Sequence, residues 1–467
     1  MLTVEEAKSA DDDTFINETF EPTSTSSLIF GEVQTIIEKF SFHLCQLQFD
    51  KAREAIDADR LVPDGYSIVS RIWPTLANSL SQMASNESVY YSLSFFTSKF
   101  SFRKENHLKM NYCQIKAELT RSIDSLEAEL VPDESVSLLK QILRTLVTYL
   151  DARIDLINFY TSLQNRPYEN IAEDCLLSLE AIVIPNDEKL SFAQIVQKEM
   201  AILISGFKAQ QLIASCSMLD ALLVLKNLRE QLDDWLKELE ANPTTKPLPT
   251  SIFRFGKSSK NNTKLPLLNW WSNFYQTLLA KFSLYFHDVL AVFGPASDMK
   301  VSHAFGSPNF LQTLHTFIKK NTPILVCIIA NRIEQDEPFY GFGYHKHLER
   351  FSSEYCKPAT GINEKYPVLY YSPFEKKLFE SLHPSVTSFV QDAYLRDGID
   401  GKVKYIFDKN KEQTFFCAHI EKNLHLVVVF GRRIQEREPA VVSLYNDILA
   451  GLRFGKLFQE LRVVSKN

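Results

Sequence analysis

The sequence predicts an α+β multidomain protein, an N-terminal multihelical bundle followed by a smaller C-terminal α/β domain with a central, mostly antiparallel sheet. Three observations carry this. Apolar residues recur at steps of three and four from Leu28 to about Leu239, with Pro and Gly mainly where helices should stop. After Gly294-Pro295 the pattern changes to short apolar runs bounded by turn residues. With 467 residues, 45% hydrophobic and 23% charged, the chain can build two or three ordinary globular cores.

Residues 1–27 hold seven acids against one lysine and end in the Ser/Thr run Thr23 to Ser27, the composition of a disordered acidic tail. Residues 28–293 form the expected multihelical domain. Pro63-Asp64-Gly65, Pro132-Asp133, Pro167 and Pro185-Asn186-Asp187 punctuate six or seven long helices, and Asp133 and Asn186 supply capping-type side chains ahead of apolar runs. Within this domain, residues 241–264 break the pattern with three prolines. They carry Lys246, Arg254, Lys257, Lys260 and Lys264, interleaved with Phe253 and Phe255, and read as a solvated loop or linker. A long helix then runs from Leu267 to Leu290. Its stripe of Leu268, Trp271, Tyr275, Leu278, Phe282, Tyr285 and Val289, widened by Phe274 and Phe286, packs against more than one neighbour.

Residues 294–467 form the C-terminal α/β domain. A short helix is expected over 309–320 and strands over 323–330, 368–371 and 403–407. Thr414–Ile420 and Leu424–Phe430, joined by Glu421-Lys422-Asn423, read as a hairpin. Its second strand is apolar throughout except for His425, as a strand covered on both faces would be, and His425 itself reads as a packed edge residue. One helix is expected from about Pro439 to Leu461.

The net charge of -6 offers no basic stripe for a polyanion, so nucleic acid is not an expected partner. The apolar runs are too short to cross a bilayer, and the first residues resemble neither a secretory signal nor a lipidation site. Membrane contact would therefore be indirect, through partners. Seven scattered cysteines without CxxC fit reduced thiols of the cytoplasm. There is no P-loop, GxSxG elbow, HExxH, EF-hand loop or kinase signature, and no catalytic residue or cofactor is expected.

The one loop singled out is Tyr340-Gly341-Phe342-Gly343-Tyr344-His345-Lys346-His347. Its two glycines lack the third of a dinucleotide loop. His345 and His347, at alternate positions, would face one side of a strand and could begin a zinc site with Cys356, Glu349 or Glu354, but no second ligand pair is recognisable. Tyr340, Gly341, Gly343, Tyr344, His345 and His347 are accordingly read as an interaction loop. Asp233-Asp234 and Asp397 with Asp400 sit in polar helix or turn contexts that look like solvated surface.

The stretch Leu278-Leu-Ala-Lys-Phe-Ser-Leu-Tyr-Phe-His287 resembles the KICSTOR complex subunit 2 family, as do Ala296-Ser-Asp-Met-Lys300, Phe317-Ile-Lys-Lys320, Gly343-Tyr344-His345 and Gln413-Thr-Phe-Phe416. Upstream, Phe49-Asp-Lys-Ala-Arg-Glu54, Val89-Tyr-Tyr-Ser-Leu93, Ala152-Arg153 and Asn158-Phe-Tyr160 follow in the same order. The family loop has adjacent histidines where this chain has His345-Lys346-His347, which weakens a metal reading. The resemblance implies a non-catalytic scaffold subunit that helps recruit the Rag-directed GTPase-activating GATOR complex to lysosomes and restrains TOR signalling under amino-acid or glucose starvation. The alternatives are a small-GTPase or trafficking adaptor with a longin- or roadblock-like C-terminal domain, or a metal-dependent enzyme built on the His345/His347 loop.

Overall fold

The computed structural model describes residues 23–58, 68–96, 107–128, 134–168, 170–186, 190–240, 265–287, 289–290, 308–333, 361, 365–373, 375–397, 402–421 and 423–463. The loop of Tyr340 to His347, the linker 241–264, Cys356 and most of the acidic tail lie outside them.

Helices dominate the first half: α1 (Thr23–Cys45), α2 (Phe49–Ala58), α3 (Ile68–Tyr91), α4 (His107–Glu127), α5 (Glu134–Ser162), α6 (Ile171–Glu180), α7 (Ser191–Ala214), α8 (Met218–Glu240) and α9 (Pro266–Tyr285). Helix α1 reaches back into the Ser/Thr run assigned to the tail. Pro266 stands in the first turn of α9, where its missing N–H costs nothing. Helix α7 is capped from outside: its first-turn Phe192 N–H donates to Ser41 Oγ of α1 at 2.8 Å. Where α7 crosses α9, Gly206 lies against the Phe274 ring, and a Cβ there would come within 2.4 Å of it. The small residue sets how closely these two helices approach.

The second half follows the order α10 (Phe310–Asn321), β1 (Leu325–Ala330), β2 (Val368–Ser372), α11 (Lys376–Asp397), β3 (Lys404–Asp408), β4 (Gln413–Glu421), β5 (Leu424–Phe430), α12 (Pro439–Leu452) and α13 (Gly455–Val463). Asn309 caps α10, accepting from Gln312 N at 3.0 Å. The five strands form one antiparallel sheet in the order β2-β1-β5-β4-β3. The expected hairpin is β4–β5, with Phe416 opposite Val428. His425 does not lie at an edge. Strand β5 is central, paired on both sides, and the residue is buried.

Both sheet faces are covered, for the reason the unbroken apolar run of β5 suggested. Leu325, Cys327, Phe415, Val427 and Val429 pack on α11 through Leu382, Val386 and Val390. The opposite face, with Val326, Ile328, Phe416, Leu426 and Val428, belongs to a core that continues through α12, α13 and α9 to Val33 of α1. The helical and sheet-bearing parts therefore share one hydrophobic interior. Trp270 of α9 reinforces the junction by donating to the Leu457 carbonyl of α13 at 2.9 Å.

The single C-terminal helix expected over 439–461 is two helices. The chain breaks at Arg453-Phe454, where Phe454 is left-handed with φ 59. A buried phenylalanine in that conformation is strained, so surrounding contacts must fix it. They include a lysine from α9, described below.

Candidate functional site

Two clusters of buried charge are the most distinctive chemical features of the described residues. The first joins α3, α5 and α7. Arg153 of α5, Glu87 of α3 and Glu199 of α7 are each fully buried. Arg153 meets Glu87 side-on, with Nε 2.9 Å from Oε1 and Nη2 2.9 Å from Oε2, and its Nη1 donates to Glu199 Oε2 at 2.5 Å. Tyr90 and Tyr160 donate to Glu199 Oε1 at 2.7 and 2.8 Å, and Tyr112 donates to Glu87 Oε1 at 2.8 Å. Trp271 Nε1 donates to the Tyr160 hydroxyl oxygen at 2.9 Å, which brings in α9. The guanidinium carbon sits 4.4 Å from the centre of the Tyr90 ring, a cation–π distance.

Burial opposes the charge of Arg153, but Glu87 and Glu199 among its neighbours outweigh it and hold the guanidinium protonated well above its ordinary range. Burial pushes Glu199 up, while Arg153 and the two tyrosine hydroxyls pull it back in part. Burial also raises Tyr90, Tyr112 and Tyr160, so all three remain donors at neutral pH. A carboxylate pair doing glycosidic chemistry needs space for a scissile bond or a water between its members. Here Arg153 fills that space. The cluster is built of ion pairs and hydrogen bonds among its own members, with Glu87 Oε2 held by the ion pair to Arg153 alone, and its chemistry is that of a joint between helices.

The second cluster joins the helices to the sheet. Lys281 of α9 is fully buried and spends its three protons on Glu421 Oε2 of β4 at 2.6 Å, Gln210 Oε1 of α7 at 3.0 Å and the Leu452 carbonyl of α12 at 2.9 Å. Tyr285 donates to Glu421 Oε1 at 2.7 Å, and Gln210 Nε2 donates to Glu421 Oε2 at 2.5 Å. Burial lowers Lys281, and Glu421 partly restores it. Leu452 is the last residue of α12, so its carbonyl has no partner within the helix. The lysine supplies one, and its ammonium stands 5.0 Å from the Phe454 ring centre. The break between α12 and α13 is thus held by a residue far away in sequence. Gln210 and Glu199 lie three turns apart on α7, about 16 Å along its axis, so one helix face serves both clusters.

A titrating group sits nearer the end of the sheet. His425 of β5 lies opposite His419 of β4, with ring centres 5.2 Å apart. Burial and then the neighbouring His419 lower its pKa to about 3. Unfolding releases the ring to a value near 6.5. Stability is therefore complete above about pH 6.5 and falls as the pH drops toward 3, because only the unfolded chain takes up the proton. The loss approaches about 1.4 kcal/mol per pH unit over this window. Equilibrium unfolding at several pH values should show a shallower acid limb for His425→Leu than for the natural chain. His383, lowered first by burial, keeps part of the limb in place.

Of the remaining sequence candidates, Asp400 and the loop Tyr340 to His347, with Glu349, Glu354 and Cys356, lie outside the described residues. Asp233 and Asp234 are on the outer side of α8, paired with Arg229 at 3.4 Å and Lys237 at 3.0 Å. Among the described residues, no three His, Cys, Asp or Glu side chains converge as a metal-binding group, and no helix is long and apolar enough to cross a membrane. His345 and His347 are outside that set. The first turns of α8 expose Leu219, Leu222 and Leu223, the last at 65%, at the one-face spacing of an apolar stripe.

The family model described as "KICSTOR complex C12orf66 like" matches residues 30–466. The chain belongs to this family. Among curated relatives, KICSTOR subunit 2 of Xenopus laevis is 25% identical over 458 residues, covering 95% of this chain and 99% of the relative. KICSTOR subunit 2 of Danio rerio is 23% identical over 450 residues, covering 93% and 96%. The segments that first suggested the family supply much of both clusters: Tyr90, Arg153, Tyr160, Lys281 and Tyr285 all fall within them. Glu87, Glu199, Gln210 and Glu421 were not singled out from sequence. The available signal was a charge inside an apolar stripe, as where Glu199 follows Ile195 and Val196 and precedes Met200 and Leu203.

Proposed function

We propose that this protein is a non-catalytic scaffold subunit of a KICSTOR-like complex. In this role it helps bring the Rag-directed GATOR complex to the lysosomal surface and restrains TOR signalling when amino acids or glucose are scarce. The supporting observation is the family match across nearly the whole chain, with relatives named as KICSTOR subunits. A body whose buried charges are spent on joining its own elements suits a part that holds others in place. The exposed leucines of α8 offer apolar area to a partner. The division into 1–27, 28–293 and 294–467, the loop Tyr340 to His347 as a partner contact, and membrane contact through partners belong to the same proposal.

Deleting the protein in its host cells tests this. TOR substrate phosphorylation should then persist through amino-acid or glucose withdrawal, and GATOR subunits should lose their lysosomal position. Normal shut-off with GATOR still on lysosomes would overturn the proposal.

A second reading, a small-GTPase or trafficking adaptor, draws on the C-terminal topology. Two strands, a helix, three strands and two helices form a five-stranded antiparallel sheet with α11 on one face and α12 and α13 on the other. A small α/β domain of this kind is what the longin- or roadblock-like reading expects, as an analogy of fold. Nucleotide-dependent binding of a small GTPase to the purified chain would favour it.

A further inference from the structure

The chain's net charge of -6 resides wholly in the segment before the first helix. Residues 1–22 hold Glu5, Glu6, Asp11, Asp12, Asp13, Glu18 and Glu21 against Lys8 alone. Taking these seven acids and one lysine from the 57 and 51 of the whole chain leaves fifty of each sign. The family match begins at residue 30, so the acidic segment stands outside it. A body neutral in sum can still hold a local excess of one sign, and one face of the sheet-bearing part does.

Helices α10 and α12 lie antiparallel. Phe310 at the start of α10 meets Gly451 near the end of α12, where a Cβ would come within 2.5 Å of the ring. Arg432, just before α12, donates from Nη2 to the Asn321 carbonyl at the end of α10 at 3.4 Å. Between the helices runs a groove of about 510 Å³, with the buried Phe317 and Leu444 at its floor and Thr316 and Ser443 on its walls. Lys320 lines the end nearest the loop 431–438. Around that end stand five exposed cations, Lys319, Lys320, Arg432, Arg433 and Arg437, against two acids, Glu436 and Glu438.

The loop that carries the arginines is pinned to the sheet. Thr414 Oγ1 donates to the Arg432 carbonyl at 2.7 Å and accepts from the Ile434 N–H at 3.1 Å. Tyr405 donates to the Ile434 carbonyl at 3.0 Å, and Arg433 stands over the Phe407 ring at 5.4 Å. Elsewhere exposed cations meet acids, as Arg144 meets Glu127 at 2.6 Å and Lys456 meets Asp447 at 3.2 Å. Among the described residues, none of the five cations has a carboxylate within 4.0 Å. Like charges held side by side on a fixed loop create a positive potential that favours a negative occupant.

We infer that this basic groove receives the chain's own acidic segment, residues 1–22. Charge is the first argument. The five cations outnumber the local acids by three, so the rest of the evenly balanced body is net acidic and repels the segment. Sequence order is the second. Asp11-Asp12-Asp13-Thr14-Phe15 and Glu18-Thr19-Phe20-Glu21 place a phenyl ring close to acids. The acids suit Lys319, Lys320 and the arginines, and a ring suits the groove floor of Phe317 and Leu444. Asp11 stands twelve residues before Thr23, so it can lie up to about 40 Å from the start of α1. An anionic bilayer, flat on this scale, would meet the cations and leave the groove unfilled.

This inference goes beyond the scaffold proposal and does not rest on it. The test is zero-length carbodiimide coupling of carboxylates to amines in the purified full-length chain, with products mapped by mass spectrometry. Carboxylates of residues 11–21 should couple to Lys319 and Lys320 at least about fivefold more than to the exposed Lys208 and Lys365, and high salt should remove the excess. Arg432→Glu with Arg433→Glu leaves both lysines in place and should abolish the preference. Asp11→Asn, Asp12→Asn and Asp13→Asn together change only residues ahead of the first helix. They should lower coupling of Glu18 and Glu21 to the two lysines at least about threefold, even if the arginine variant does not fold. Coupling of Glu5 to Lys8 is local and stays constant as the control. Products of monomer size place the segment on its own chain and products of dimer size on a neighbouring copy, and both identify the same occupant. No coupling to Lys319 or Lys320, an even spread over exposed lysines, or a preference that survives either folded variant would overturn the proposal.

Discussion

Arg153→Met is expected to destabilise the protein by on the order of 4 kcal/mol, measured as a loss of unfolding free energy in urea. The reason lies in what remains. Glu87 and Glu199 stay fully buried, now without a cation between them, and must hold unpaired charge in an apolar interior or take up protons. Tyr90, Tyr112 and Tyr160 still donate to the carboxylates, but hydroxyl donors cannot replace a unit charge. Arg153→Lys should lose less while remaining clearly destabilised. A lysine keeps the charge but lacks the planar fork that reaches both Glu87 oxygens and Glu199 at once. Neutralising the whole cluster, with Arg153→Met, Glu87→Gln and Glu199→Gln together, should recover a substantial part of the loss. If Arg153→Met alone were silent, the cluster would not be the joint described above.

The second large effect is expected at the helix–sheet junction. Lys281→Met should cost about 3–5 kcal/mol, because it strands the Glu421 carboxylate and leaves the Leu452 carbonyl without its donor. The location of the damage is as informative as its size. Amide exchange should accelerate most at the end of α12, in α13 and around Glu421, with α3 to α5 less affected. A double-mutant cycle with Glu421→Gln should give a favourable coupling of at least about 1 kcal/mol between the two sites. Additive losses would mean that the lysine and the glutamate act independently, against the geometry.

These two residues also show what the sequence could and could not display. The helices were legible because an apolar stripe repeats every three or four residues, and β5 was legible as a strand covered on both sides because its run is apolar on both faces. Lys281 sits within the stripe of α9, between Leu278 and Tyr285, where the sequence alone shows one polar position in an aromatic-rich helix. Its partner Glu421 ends β4 and was read as part of a hairpin turn, 140 residues away. Periodicity reports which face of an element is buried, but not which buried charge on one element meets which on another. The same limit explains the final helix. Nothing local in Gly451-Leu-Arg-Phe-Gly455 shows that Phe454 is held left-handed, because part of what holds the break is supplied by α9. His425 was misplaced at an edge because strand order is a long-range property. Helix α11 was not foreseen as an element, since Pro384 interrupts its apolar pattern.

The scaffold proposal is tested most directly by quantitative affinity capture of the tagged full-length protein from its own cells. The expected result is stoichiometric recovery of the other KICSTOR-type subunits, with GATOR components in substoichiometric amounts that vary with nutrient state. Recovery of the protein without KICSTOR-type subunits, from cells that express them, would contradict it.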